Sequence, residues 1–341
     1  MTGCSTVGYY RQAIGGQLEL WRASKPISRL LADPQTPPSL ARQLETVLDI
    51  RRFAVEELHL PNNGSYTEYG DLKRDFVVWN VFATPRLSLQ PLQSCFPVVG
   101  CVSYRGFFSA DAAREFAAGL AANDADVYIG GVAAYSTLGW FDDPVLNTFL
   151  RLGALRTAEI IFHELVHQKL YISGDTAFNE SLAMAVAEIG VERWLARTQG
   201  DIDGWRAKQS RDASVHALLL KTREKLSEIY SSNQADDLKH VQKDQMFEEL
   251  GKRYAELRGQ WSGDSSYDYW MTDQMNNAKL ASVATYHSHK TAFISLFELV
   301  DKDFVTFYRY AEHMGQLKQD ARQRCLATLA SSGKLGSNCT P

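Results

Sequence analysis

Ile160–Gly190, IIFHELVHQKLYISGDTAFNESLAMAVAEIG, holds the pattern that decides the fold. Within it His163-Glu164-Leu165-Val166-His167 is an H-E-x-x-H motif. On a helix, positions four apart lie one above the other, so His163 and His167 share a face and can offer two imidazole nitrogens to one metal ion. Glu164 points to nearly the same side. Ile161, Phe162, Leu165 and Val166 cover the opposite side, which can be buried while the polar face lines a cleft. Ser173-Gly174-Asp175 reads as a turn, and a second helical pattern starts near Thr176 with Asp175 or Thr176 as its cap. Glu180 then falls just over one turn into the second helix, facing back. His163, His167 and Glu180 form a candidate three-ligand zinc set, one Zn2+ per chain, with the fourth position open for water.

The rest of the chain frames this segment. Its 341 residues are 45% hydrophobic and 22% charged, which is ordinary globular usage. The net charge of −4 excludes a bulk basic field for nucleic acid. No apolar run reaches the ~18 residues of a membrane-spanning helix. Apolar periodicity predicts helices from Tyr9 to Leu31 and from Pro38 to Leu58. Phe76–Phe82 and the stretch from Phe96 to Phe108 read as strands. Asp126–Trp140 reads as a strand interrupted by glycine. Ser109 opens a helix reaching Leu120. From Val145 onward the pattern is overwhelmingly helical. The fold class expected is α+β: mainly helical, with a small, mostly antiparallel sheet packed on the motif helices. One domain spans 1–341, and 201–261 forms a charged helical hairpin within it, broken near Ser231-Ser232-Asn233-Gln234.

Cysteine spacing pairs Cys95 with Cys101 and Cys325 with Cys339, two disulfides that call for an oxidising compartment. Cys4 stands alone. The small residues before it look like the end of a bacterial lipoprotein signal, with the apolar part removed and Met1 an added start. Lipidated Cys4 would tether a globular body to a membrane.

Asn179-Glu180 resembles the third-ligand segment of thermolysin-type zinc peptidases, the gluzincins, although the twelve residues between His167 and Glu180 demand a tighter turn. A wider resemblance covers nearly the whole chain. CSTVGYYRQAIGGQLELW, NGSYTEYGDL, VWNVFATP, IGGVAAYSTLGWFDDP, FHELVHQKLYISGDTAFNES and NNAKLASVATYHS, in that order, resemble a bacterial family of predicted aminopeptidases whose members are lipoproteins with a leading cysteine. The resemblance implies a zincin-like (gluzincin) core, a zinc peptidase activity, lipidation of Cys4 and a periplasmic location, with the outer membrane favoured.

The chemistry expected is hydrolysis of peptide bonds, with Glu164 as general base toward a metal-activated water. Tyr286, then His287, are the candidates for stabilising the oxyanion. Asp175 is either an acceptor orienting a ligand histidine or a helix cap. Val132–Thr137 is the candidate edge for an extended peptide substrate, with Tyr135 and Ser136 as contacts. Asn277 is a further substrate-binding candidate, and Asp142 or Asp143 a candidate anchor for a free amine. A zinc endopeptidase or cell-wall peptide amidase would use the same site. A binding or assembly lipoprotein with a vestigial metal site is the third reading.

Overall fold

The computed structural model describes residues 15–341 except 17, 97–99, 135, 138–140, 262, 273 and 284–288, and the backbone alone of 96, 100, 101, 272 and 337. Cys4, Tyr135, Tyr286 and His287 lie outside the described residues. Helices dominate, with a minority of short strands, as expected for the α+β class. The elements run α1 (18–23), β1 (Ser24–Pro26), α2 (Ile27–Ala32), α3 (Pro38–Glu56), β2 (Glu68–Gly70), β3 (Val78–Pro85), β4 (Ser94–Phe96), β5 (Gly100–Val102), β6 (Arg105–Phe107), α4 (Ala110–Ala121) and β7 (Ala125–Val132). They continue with β8 (Val145–Leu146), α5 (Asn147–Leu150), α6 (Ala154–Lys169), α7 (Thr176–Thr198), α8 (Ile202–Ser231) and α9 (Asp236–Arg258). The C-terminal part holds α10 (Asp268–Thr272), α11 (Asn277–Val283), α12 (Lys290–Leu299), α13 (Phe304–Gln316) and α14 (Gln319–Ser332). No helix among the described residues is long and apolar enough to cross a membrane.

The chain packs as two compact units. One is built from Val78–Val132 and Asp203–Ala284. Its sheet is antiparallel in the order β6-β3-β7, with Trp79 opposite Phe107 and Val81 opposite Ile129. Helix α4 lies against this sheet, and Val81, Phe107, Ala113 and Ala117 form the buried seam. The Ser109 hydroxyl caps α4 by accepting from Ala112 N at 3.3 Å. Helices α8 and α9 share a second apolar cluster around Leu218, Leu226, Leu250 and Tyr254. Cys95 is disulfide-bonded and stands directly across from Cys101 in the β4–β5 pair.

The other unit comprises Gly16–Val77, Ala133–Ile202 and Thr285–Pro341. Its strands are few and short, in the order β1-β2-β8, and β2 runs parallel to β8. Its core is helical. Helices α6 and α7 pack on each other, with α3 against α6 and α12 against α7. Ile161, Phe162, Leu165 and Val166 are fully buried. Each such side chain is worth about 1.5–3 kcal/mol on burial, enough to fix which face of α6 turns inward. A disulfide links Cys325 on α14 to Cys339.

Strand β7 ends at Val132, so the substrate edge read across Val132–Thr137 is not a strand. The backbone after it is held by polar contacts instead. The Thr148 hydroxyl donates to Ala133 O, and Ser136 and Thr137 turn onto Asp143.

Candidate metal centre

Helices α6 and α7 bring His163, His167 and Glu180 together. Their ligand atoms all lie within 4.8 Å of one another, as a set of side chains that can hold a metal ion requires. His163 Nε2 is 3.2 Å from His167 Nε2 and 3.2 Å from Glu180 Oε2, and His167 Nε2 is 3.6 Å from Glu180 Oε1. Two ligand atoms about 2.05 Å from an ion, at a tetrahedral angle, stand about 3.3 Å apart. The cluster meets that spacing. His167 is buried, and its Nδ1 has no hydrogen-bond partner among the described residues.

The turn between the two helices is built from three devices. Gly174 takes a φ of +80°, a conformation that suits glycine. Asp175 caps α7, its Oδ1 accepting from Phe178 N at 3.0 Å. Asn179 clamps Ile172, its Nδ2 donating to Ile172 O at 2.8 Å and its Oδ1 accepting from Ile172 N at 2.8 Å. Of the two roles open to Asp175, the structure shows the cap. Its other oxygen accepts from Arg322, not from a ligand histidine.

Charge is strongly coupled here. Burial pulls the His163 pKa down, but the hydrogen bond to Glu180 and the charges of Glu164 and Glu180 outweigh it, and the net shift is upward. Burial and the neighbouring His163 charge push His167 down to about 4. Glu180 is raised by burial and pulled lower still by its histidine partners. Glu164 rises, first through burial, with Glu180 and Asp143 adding to the effect against His163. A glutamate that holds a proton more readily than usual is what general acid–base work near neutral pH asks for.

Behind Glu164 lies a polar network that sequence reasoning missed. Ser136 Oγ donates to Asp143 Oδ2 at 3.1 Å, and the charge of Asp143 is felt by Glu164. Asp143 is only 3% exposed and is filled by Thr137, Ser136 and Gln168, so it has no room to anchor a substrate amine. Tyr171 was also missed. Its ring meets His167 edge-on at 6.2 Å between centroids, it is 47% exposed, and its hydroxyl makes no hydrogen bond among the described residues. Tyr171 lies two residues past the end of α6, where the helical period no longer applies.

Asn277 lies in the other unit and is fully buried. Its Oδ1 accepts from the Tyr230 hydroxyl, its Nδ2 donates to Arg86 O, and its backbone N donates to Asp126. These bonds tie α11 to its own unit and engage both ends of the side-chain amide.

A family model described as Putative aminopeptidase matches residues 8–326. The chain belongs to that family. No curated protein and no solved structure matches it.

Proposed function

We propose that the chain is a zinc-dependent peptidase that acts as an aminopeptidase. The observation that carries this reading is the His163, His167 and Glu180 cluster with Glu164 beside it, in a chain of an aminopeptidase family. Two imidazoles and one carboxylate are the donor set of gluzincin-type zinc sites, where a fourth position is open. When bound, the ion would acidify a water and polarise a substrate carbonyl.

The chain's own residues supply the rest. Glu164 takes a proton at its carboxylate and returns it to the leaving amine. The exposed Tyr171 phenol, beside His167, donates toward the carbonyl oxygen as charge builds there. The Cys325–Cys339 disulfide supports an oxidising, extracytoplasmic setting.

The test is metal content of the purified chain and of His163→Ala and Glu164→Gln variants, followed by assay on a free-amine peptide and its N-acetylated twin. One zinc per chain, lost in His163→Ala and kept in Glu164→Gln, is expected. Cleavage of the free-amine peptide alone, abolished in Glu164→Gln, marks an aminopeptidase. Cleavage of both peptides moves the assignment to an endopeptidase. A chain that retains no metal ends the catalytic reading.

A further inference from the structure

A cavity of about 420 Å³ lies between the end of α3, the end of α6 and one face of α13, and no residue of the metal centre lines it. Small-molecule sites occupy roughly 300–1,000 Å³. Val305, Tyr308, Arg309 and Glu312 line it from α13 at i, i+3, i+4 and i+7, the spacing of one helix face. Val55 and the buried Leu60 and Tyr308 add apolar lining.

The wall on the α3 side is held in place. The Tyr308 hydroxyl donates to Leu58 O at 3.0 Å, and Leu60 N donates to Ala54 O at 3.0 Å. Between them His59 takes a φ of +51°. That conformation costs a residue with a side chain about 1–3 kcal/mol and persists only where its surroundings impose it.

Lys169, Arg309 and His59 bring nitrogen to the lining, against the carboxylate of Glu312. Lys169 Nζ stands 5.2 Å from the centre of the Tyr308 ring. Among the described residues, Lys169, Arg309 and Glu312 form no ion pair. With His59 neutral, the lining holds two positive charges against one negative. A singly charged anion balances the excess, whereas a phosphate dianion overshoots it. The guanidinium of Arg309 is a planar fork that matches the two oxygens of a carboxylate.

We propose that this cavity binds a small carboxylate with an apolar body, its acid group on Arg309 and Lys169 and its body against Val55, Leu60 and Tyr308. A free apolar amino acid and the C-terminus of a short peptide share that chemistry. The site stands whether or not the chain cleaves peptides.

Calorimetric titration of the full chain with N-acetyl-leucine tests this, with N-acetyl-leucinamide as the twin that lacks the charge. The acid is expected to bind and the amide is not. Arg309→Ala and Lys169→Ala should each weaken the acid about 10- to 100-fold, the worth of a charge-assisted hydrogen bond. Glu312→Gln should tighten it about 2- to 5-fold, the scale of an exposed charge pair. The three side chains are exposed, so these variants should melt with wild type. His163→Ala should bind the acid as wild type does. Leucine against acetyl-alanyl-leucine then tells the two sources apart, the tighter being the class of ligand served. Binding kept in Arg309→Ala and Lys169→Ala, binding lost in His163→Ala, equal affinity for acid and amide, inorganic phosphate bound more tightly than the acid, or no binding of the acid overturns the proposal.

Discussion

Arg322 grips Asp175 through Nε at 2.8 Å and Nη2 at 2.6 Å, both on Oδ2, while the other Asp175 oxygen caps α7. The pair is buried, and Arg322 Nη1 also donates to Gly315 O and Leu317 O. One carboxyl thus ties α14 to the start of the helix that carries Glu180, five residues further on. Removing one partner of such a pair leaves the other buried and uncompensated. Arg322→Met should cost about 3–5 kcal/mol in denaturant unfolding. It should also weaken metal retention, although residue 322 touches no ligand. Wild-type stability in the variant would show that the cap alone sets the start of α7.

Metal should stabilise the folded chain. A ligand at 100 times its Kd adds about 2.7 kcal/mol if it binds only the native state. Adding zinc to chelator-stripped protein should therefore raise Tm, and removing the ion should reverse the rise. His167→Ala should abolish the response, since it deletes one of the three proposed ligands. Glu164→Gln should keep it. A response equal in His167→Ala and wild type would place the ion elsewhere.

Asp143 gives the pH dependence a definite sign. Burial raises its pKa above the usual carboxylate value, more than its hydrogen bonds lower it. The folded state therefore holds this proton to higher pH than the unfolded chain does. Stability tied to this group is full below the ordinary carboxylate range and falls as pH rises through the raised value. Asn carries no such charge. The melting temperature of Asp143→Asn relative to wild type should improve from pH 4 to pH 7, as read by thermal scans across that range. A relative decline would mean that the donors around Asp143 hold it ionised.

The site was legible where its geometry is local. H-E-x-x-H, the turn at 173–175, the Asp175 cap and Glu180 one turn on all fall within a short contiguous stretch and obey the helical period. Ser109 capping α4 was readable for the same reason. Contacts set by tertiary packing were not. Gln168 reaches Asp143 across 25 positions, and Ser, Thr and Asp in a loop carry the pattern of an ordinary turn. Asp175 and Arg322 are 147 residues apart, and no local spacing joins them. The stretch read as a strand from Asp126 to Trp140 ends as a strand at Val132, and the next carbonyl, Ala133 O, accepts from the Thr148 hydroxyl. The parallel β2–β8 pair joins Tyr69 to Val145, which no hairpin signal announces.

Gly190 sits where α7 carries no side chain against α6. A Cβ there would stand 2.8 Å from Phe162 Cδ2 and 2.6 Å from Leu58 Cδ1. Leu58 ends in a flexible group, but the Phe162 ring is fully buried and packs 5.8 Å from the Phe53 ring. Ala would gain about 1 kcal/mol in helix propensity. Overpacking costs about 1–3 kcal/mol, so the net effect of Gly190→Ala is a loss of stability. Chemical denaturation checks this, and a gain would mean that Phe162 gives way freely.

Asn179 precedes Glu180, and its amide is the clamp that holds the turn at Ile172. Asn179→Asp keeps the size and the acceptor for Ile172 N. It replaces the donor facing Ile172 O with a second acceptor, at a position 1% exposed and next to a ligand carboxylate. Leaving such a buried group unpaired costs about 1–3 kcal/mol, and more when it is charged. The turn must open to relieve the contact, and opening it moves Glu180 away from the two histidines. Asn179→Asp is therefore expected to unfold at lower denaturant and to bind zinc about 10- to 100-fold more weakly in competition with a chelator. Asn179→Ala should bind zinc better than Asn179→Asp, because it removes the clamp without setting a carboxylate against a carbonyl. If the two variants bind alike, the amide clamp does not govern where Glu180 stands.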